Sequence, residues 1–114
     1  MLKIEKEKVD QHIALRLEGE VDASNSVELD MAIQDLVAEN VNKILIDGTS
    51  LNYISSAGLW VFMSYLEDFE DKNIKFVIFG LNNKVKNVFH ILGLDQLLII
   101  EDDEKGALGV LYER

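Results

Sequence analysis

The stretch that decides the fold is Ile46-Asp47-Gly48-Thr49-Ser50-Leu51-Asn52-Tyr53-Ile54-Ser55-Ser56-Ala57-Gly58-Leu59. The apolar run at 43–47 is short and continuous, which is typical of a buried central strand. The polar residues at 48–55 predict a loop, and a helix is expected to begin at about Ser56. Functional sites favour the carboxyl ends of such strands, so the residues between Asp47 and Ser56 are the first candidates.

Outward from this stretch, hydrophobic periodicity predicts the remaining elements. Alternation of apolar and charged residues predicts a leading hairpin that Gly19 ends. Strands are predicted over residues 2–9, 13–18, 43–47, 75–79 and 97–100, and helices over residues 25–40, 56–71, 83–92 and 103–112. This order predicts an α/β fold of one domain over residues 1–114, with a mixed β-sheet covered by about four α-helices. In that sheet the leading hairpin is followed by parallel strands.

Two helices carry apolar stripes at helical spacing. The first stripe is expected to include Val27, Met31, either Ile33 or Gln34, Leu36 and Val37. The second is expected to comprise Leu59, Phe62, Met63, Leu66 and Phe69. Trp60 lies off the second stripe and one turn after Ser56, so the two share a face. Two interpretations of Trp60 stay open: partial burial against a neighbouring helix, or an exposed anchor for a binding partner.

Composition limits the classes of function. The chain has 48% hydrophobic and 28% charged residues, no cysteine, and a net charge of −10. Such an acidic surface disfavours direct binding to nucleic acid and to anionic membranes. It favours a partner with a basic surface, or it only keeps the protein soluble. The absence of a signal-peptide core and of a long apolar run predicts a cytoplasmic protein.

A serine at a helix start allows two interpretations. Its hydroxyl can cap a free backbone N–H group of the first turn. The same position tolerates a phosphate, because the free N–H groups and the helix dipole favour negative charge. Asp22, in the segment Gly19-Glu20-Val21-Asp22 after the second strand, and Asp47 are expected to lie near Ser56. A phosphate there would add a third negative group to the two carboxylates.

Residues 53–59, Tyr-Ile-Ser-Ser-Ala-Gly-Leu, resemble the phosphorylation loop of STAS domains, and most closely that of the bacterial anti-anti-sigma factors. The segment ending at Asp22 is similar to the Gly-Glu-hydrophobic-Asp segment of that family. The order of elements matches along all 114 residues. The family's phosphorylated serine precedes a small residue and Gly-Leu, which places it at Ser56. Ser55 stands where the family often has Asp, so Ser55 is the second candidate acceptor.

The resemblance implies a STAS-like fold and the function of an anti-sigma factor antagonist. The unphosphorylated form would bind an anti-sigma factor that is also a serine kinase using ATP. That kinase would phosphorylate Ser56, and a serine phosphatase would remove the phosphate. The partner-binding residues would be Asp22, Asp47, Ser55, Ser56, Ala57, Gly58 and Trp60. The alternatives are a STAS adaptor in another signalling scaffold or transport complex, and a small hydrolase using Asp22, Asp47 and Ser56. The oligomeric state is left open between a monomer and a weak dimer.

Enzyme signatures are missing from the sequence. There is neither a phosphate-binding P-loop nor a Gly-x-Ser-x-Gly elbow, and the acidic residues at 101–104 lack the spacing of a calcium loop. His12 is expected to be solvated in the first turn, and His90 to lie near a helix end, where a cation suits the dipole. No metal and no cofactor are expected, and the protein is predicted not to be an enzyme.

Overall fold

The chain begins with an antiparallel hairpin. In the computed structural model, which describes residues 1–113, β1 (Leu2–Val9) pairs with β2 (His12–Val21). Asp10 forms the turn with a positive φ of 52°, a conformation that Asp tolerates better than most residues. The predicted hairpin is confirmed.

Three further strands extend the sheet in parallel to β2. They are β3 (Lys43–Ile54), β4 (Lys75–Phe79) and β5 (Ile99–Glu101), and the order across the sheet is β1-β2-β3-β4-β5. Only the first pair is antiparallel, and the other three pairs are parallel. The predicted mixed sheet, with its leading hairpin and parallel strands, is therefore confirmed.

Helices cover both faces of the sheet. They are α1 (Ser26–Ala38), α2 (Ser56–Ser64), α3 (Leu66–Asp71), α4 (Asn83–Ile91) and α5 (Glu104–Leu111). The first four pack into the main core, which includes Leu36, Phe62 and Phe89. On the opposite face, Ala107 and Leu111 of α5 pack against strand residues in a second apolar cluster.

β2 and β3 are longer than the sequence predicted. Gly19 does not end β2, and residues 48–54 are not a loop, because the two strands stay paired as far as Val21 and Ile54. The register shifts twice along this extension, and Gly19 adopts a φ of +100°. Such a conformation favours glycine. The extension depends on pairing between segments distant in sequence, which a local pattern does not reveal.

The helix predicted over residues 56–71 is two helices that meet at Tyr65. The Tyr65 hydroxyl donates to the Asp30 carboxylate at 2.6 Å and so links the boundary between α2 and α3 to α1. The predicted face of α1 was partly wrong, because Val27 and Met31 are exposed. The buried residues of α1 are Leu29, Ile33, Leu36 and Val37.

Two further predictions need correction. The last strand begins at Ile99 and not at 97, because a 3-10 turn at Leu94–Gln96 precedes it. His12 is not solvated: only 4% of it is exposed, and its Nδ1 lies 2.6 Å from the Tyr112 hydroxyl. Within residues 1–113, no helix combines the length and apolar character that crossing a membrane requires.

Candidate functional site

The carboxyl ends of β2 and β3 form one junction. Val21 and Ile54, the last residues of the two strands, are register partners. The backbone N–H of Ser55 then donates to the carbonyl oxygen of Val21 at 2.8 Å. Asp22 and Ser55 therefore leave the sheet side by side, so the turn into α1 and the start of α2 are neighbours.

Asp22 organises the turn between β2 and α1. Its Oδ1 accepts hydrogen bonds from the Ser24 hydroxyl at 2.6 Å and from the backbone N–H groups of Ser24 and Asn25 at 2.9 and 3.2 Å. These donors, the Ser24 hydroxyl above all, lower the pKa of Asp22. The carboxylate is thus an ionised structural group, and its place beside Ser55 gives the junction a fixed negative charge.

Asn25 completes this turn in a way that the sequence interpretation missed. Its Oδ1 accepts from the Asp22 N–H at 2.9 Å, and its Nδ2 donates to the Glu20 carbonyl at 3.0 Å. Asn25 stands at the N-cap position of α1, but its side chain caps no helix N–H group. In Asp22-Ala23-Ser24-Asn25, an Asp lies two residues before Ser and three before Asn, which is typical of side-chain turns, and that signal was present in the sequence.

Ser55 and Ser56 have different environments at the start of α2. Ser55 is the N-cap residue, and its Oγ accepts from the Gly58 N–H at 3.5 Å. Ser56 is the first helical residue and is exposed. Within residues 1–113, no side-chain hydrogen bond holds the Ser56 hydroxyl. The capping role that the sequence allowed for Ser56 therefore belongs to Ser55, and the Ser56 hydroxyl is accessible.

Gly58 allows α2 to sit close to the sheet. A Cβ atom at this position would lie 2.6 Å from Val21 Cγ1 and 2.8 Å from Ile54 Cγ1. Gly58 is buried and Ala57 is half-buried. Gly58 therefore contributes to the junction by close packing, which fixes where the first turn of α2 lies.

Trp60 lies on the same exposed face of α2 as Ser56, one helical turn further along. Its side chain is 65% exposed, so the interpretation of partial burial is the weaker one. No acidic residue occupies the first turn of α2. The positive end of this helix dipole is therefore not neutralised by its own side chains.

Asp47 does not join this junction, and the expectation that it lies near Ser56 is wrong. It lies within β3, where it pairs with Arg16 and Phe79. The strand from Asp47 to Ile54 spans roughly 23 Å at about 3.3 Å per residue. Its Oδ1 accepts from the Thr49 hydroxyl at 2.7 Å. Strand alternation directs Asp47 to the face of the sheet that α5 covers, together with Leu45.

The junction has no constellation typical of an enzyme. Both histidines are engaged far from Ser56: His12 contacts Tyr112 at the other end of β2, and His90 in the last turn of α4 lies 2.6 Å from Asp95. In the part of the chain that the structure describes, no group of three or more acidic or histidine side chains could hold a metal ion.

The fold and the junction define a class of small α/β domains that present a helix start at the carboxyl end of a central strand in a mixed sheet. The STAS domain model matches residues 3–107, and the chain belongs to the STAS domain family. Among curated relatives, the anti-sigma-B factor antagonist of Listeria monocytogenes is 28% identical over 99 residues, which cover 87% of each chain.

Solved structures share the fold. An anti-sigma factor antagonist from Mycobacterium paratuberculosis superposes with a TM-score of 0.91 at 20% identity, covering 99% of this chain and 96% of that one. The Bacillus cell fate determinant SpoIIAA, in its phosphorylated form, superposes with a TM-score of 0.70 at 17% identity, covering 91% of this chain and 96% of that one. At these identities the likeness establishes the fold and leaves the function to other arguments.

Proposed function

We propose that this protein is an anti-sigma factor antagonist whose binding is controlled by phosphorylation of Ser56. Unphosphorylated, it binds an anti-sigma factor with serine kinase activity and so regulates transcription indirectly. The observation that carries the proposal is the exposed Ser56 in the first turn of α2, one turn before the exposed Trp60. The names of the curated relatives, which are antagonists of anti-sigma factors, support it.

The start of α2 suits a phosphate. Phosphorylation would transfer the γ-phosphoryl group of ATP to Ser56 Oγ, with loss of the hydroxyl proton and release of ADP. The product carries about −1.5 to −2 charges at pH 7. Free N–H groups and the helix dipole accommodate that charge, and no acidic side chain in the first turn opposes it. The fold would therefore survive while the surface changes.

The proposed partner surface combines the two segments of the junction. Asp22, Ser56, Ala57 and Trp60 would face the partner, while Ser55 and Gly58 would hold the start of α2 in place. Asp47 is left out, because it lies on the other side of the sheet. Exposed tryptophan is enriched among binding hot spots. A phosphate one turn away would hinder docking through its charge, its bulk and its hydration.

The partner surface should be basic or mixed. With a net charge of −10, the protein attracts such a surface and repels an acidic one. A kinase that binds this face would reach Ser56 directly, and a serine phosphatase would restore the binding form. In this proposal the protein is a ligand and a substrate in the cytoplasm and needs no cofactor.

The first experiment tests the phosphorylation site. The purified protein is incubated with ATP and a lysate of its source organism, and intact mass and peptide mapping follow. One added phosphate that is lost only in Ser56→Ala supports the proposal. Ser64→Ala is the matched control, because Ser64 lies on α2 but its hydroxyl donates to the Val61 carbonyl at 2.6 Å. Loss only in Ser55→Ala would move the switch to Ser55.

Absence of phosphate, with a folded protein and a kinase-competent lysate, would overturn the switch and favour a STAS adaptor that is not modified.

The binding surface is tested separately by titrating the cognate anti-sigma factor. Trp60→Ala should weaken binding by about 30-fold, the effect of a hot-spot residue. Met31→Ala removes another exposed apolar side chain, on α1, and should leave the affinity unchanged. Equal losses in both variants would contradict the assigned surface.

A further inference from the structure

The two faces of the sheet carry apolar cores of very different size. Among the described residues, 23 buried apolar residues form the main core, on the face that α1 to α4 cover. The cluster on the opposite face has five such members, which are Leu45, Val77 and Phe79 of the strands and Ala107 and Leu111 of α5. Because hydrophobic stabilisation scales with the apolar area removed from water, α5 is held more weakly than the helices of the main core.

One flank of α5 is also unsupported. A cavity of about 440 Å³ lies between α5 and the β1–β2 hairpin, and its lining includes Glu104 and Leu108 of α5 and Glu7 and Ala14 of the hairpin. Ala14 stands in register between Glu7 and Leu45, so the cavity lies over a small side chain. Along most of its length, α5 therefore packs on β3 and β4 and leaves open space on its hairpin side.

The polar contacts that link α5 to the sheet are concentrated at its carboxyl end. The hydroxyl of Tyr112, the C-cap residue, contacts His12 Nδ1 at 2.6 Å and accepts from the Gln11 N–H at 3.2 Å. The Lys75 ammonium group donates to the Val110 carbonyl oxygen at 3.4 Å. These contacts all lie in the last turn or just after it, so they act together as one attachment point.

The sequence of α5 provides little helical stability of its own. Glu104–Leu111 is eight residues long and includes Gly106 and Gly109. Glycine is the poorest helix former after proline, and isolated helices shorter than roughly 12–15 residues are marginal in water. A Cβ atom at Gly109 would meet nothing within 4 Å, so packing does not require that glycine. When α5 leaves the sheet, it should therefore lose its helical structure.

We propose that α5 opens as a separate unit, held closed by the contacts of Tyr112, while the main core stays folded. In the open state α5 is locally unfolded, and the apolar strand residues beneath it, Leu45, Val77 and Phe79, become accessible. Sub-global openings of this kind occur in elements with few buried apolar contacts. The opening takes place on the face of the sheet opposite to α2, and it does not require phosphorylation of Ser56.

The test uses the absence of cysteine from the sequence. Single thiols are introduced by Ala107→Cys in α5 and, as the matched control, by Val85→Cys in α4, two buried helical positions. The labelling rate of each thiol is divided by its rate in the urea-unfolded chain. The Ala107→Cys thiol should then label at least about tenfold faster than the Val85→Cys thiol. Low urea concentrations should hardly change its rate, because opening of α5 exposes little surface.

Further substitutions in these two backgrounds separate the units. Ile33→Val, in the main core, should raise labelling of Val85→Cys about fivefold and leave that of Ala107→Cys unchanged, because the main core is intact when α5 opens. Tyr112→Phe should raise labelling of Ala107→Cys about tenfold, through loss of the attachment to His12 and Gln11. Gly109→Ala should lower it about threefold.

Amide exchange of the wild type checks that the introduced thiols do not cause the opening. The Leu111 amide in α5 should be at least about tenfold less protected than the Ile33 amide in α1. Equal protection of the two helices, with rates that rise together in urea, would overturn the separate opening. Equal acceleration of both thiols by Ile33→Val would overturn it as well. Unchanged labelling of Ala107→Cys in Tyr112→Phe would overturn the role of Tyr112 in holding α5 closed.

Discussion

The backbone N–H of Ser55 donates to the carbonyl oxygen of Val21 at 2.8 Å, which is the last hydrogen bond between β2 and β3 before the chain enters α2. This bond fixes the helix start that carries Ser56 against the turn that Asp22 organises. The two segments are held together by this bond and by the packing of Gly58 against Val21 and Ile54. The geometry of the candidate site depends on the extended ends of both strands.

Gly58→Ala should displace the start of α2. The new methyl group would lie 2.6 Å from Val21 Cγ1 and 2.8 Å from Ile54 Cγ1, so overpacking should lower the free energy of unfolding by about 1–3 kcal/mol. Urea unfolding measures the loss. Gly109→Ala in α5 is the matched control, because a Cβ atom there meets nothing within 4 Å. The control should stabilise the protein by about 0.5–1 kcal/mol.

If Gly58→Ala were as stable as the wild type, Val21 and Ile54 would have room to move. In that case, the close packing of Gly58 against Val21 and Ile54 would not determine the position of α2. A destabilised Gly109→Ala would show that the loss at Gly58 is not specific to the junction.

Ser55→Ala and Ser56→Ala should differ in stability. Ser55 caps α2 through its bond from the Gly58 N–H, so its removal should lower the free energy of unfolding by about 0.5–1 kcal/mol. The Ser56 hydroxyl is exposed, so Ser56→Ala should change stability by less than about 0.5 kcal/mol. Thermal and urea unfolding of the two variants check this. A larger loss in Ser56→Ala would mean that Ser56, and not Ser55, holds the helix start.

The sequence predicted elements whose signals are local. The hairpin, β4 and the helix closed by Gly93 were all anticipated, and Gly93 adopts the left-handed conformation that ends such a helix, with a φ of 73°. Asp22 was expected to lie near Ser56, and the structure places Asp22 after β2 beside Ser55, which follows β3. Local signals were sufficient for the hairpin, for β4 and for the helix that Gly93 closes.

Features that depend on distant pairing were missed. Residues 48–54 have the polar composition of a loop and become strand because β2 continues beside them. For the same reason the predicted strand ended at Asp47, which lies inside β3 in the structure. The polar turn at His12 gave no sign that Tyr112, 100 residues later, would cover its ring. Such contacts follow from packing in three dimensions, which periodicity does not encode.

Tyr112→Phe tests whether the Tyr112 hydroxyl, at the end of α5, stabilises the packing of α5 on the β1–β2 hairpin. The Tyr112 hydroxyl contacts His12 Nδ1 at 2.6 Å and accepts from the Gln11 N–H at 3.2 Å. Its loss should lower the free energy of unfolding by about 1–2 kcal/mol, because His12 is buried and loses a partner. Urea unfolding provides the value, and faster amide exchange of Gln11 should accompany it. Unchanged stability and exchange would contradict this role for the hydroxyl.

Tyr65→Phe should change how stability depends on pH. Burial, and then the hydrogen bond to Asp30, raise the pKa of Tyr65, so the folded state keeps this proton at a pH where the unfolded chain has lost it. Stability from the hydroxyl is therefore fully present below the ordinary tyrosine pKa of about 10 and declines as the pH rises above it. At pH 8 the variant should be less stable by about 1–2 kcal/mol, because the bond to Asp30 is lost.

The measurement is urea unfolding of wild type and Tyr65→Phe at intervals from about pH 8 to 11.5. The stability difference between the two proteins should shrink above about pH 10, because only the wild type releases the Tyr65 proton on unfolding. Tyr65 joins α2 to α3 and contacts Asp30 in α1, so the variant should also loosen the packing of α2 on α1. A difference that stays constant across this range would contradict the raised pKa and leave the bond to Asp30 as a neutral, pH-independent contact.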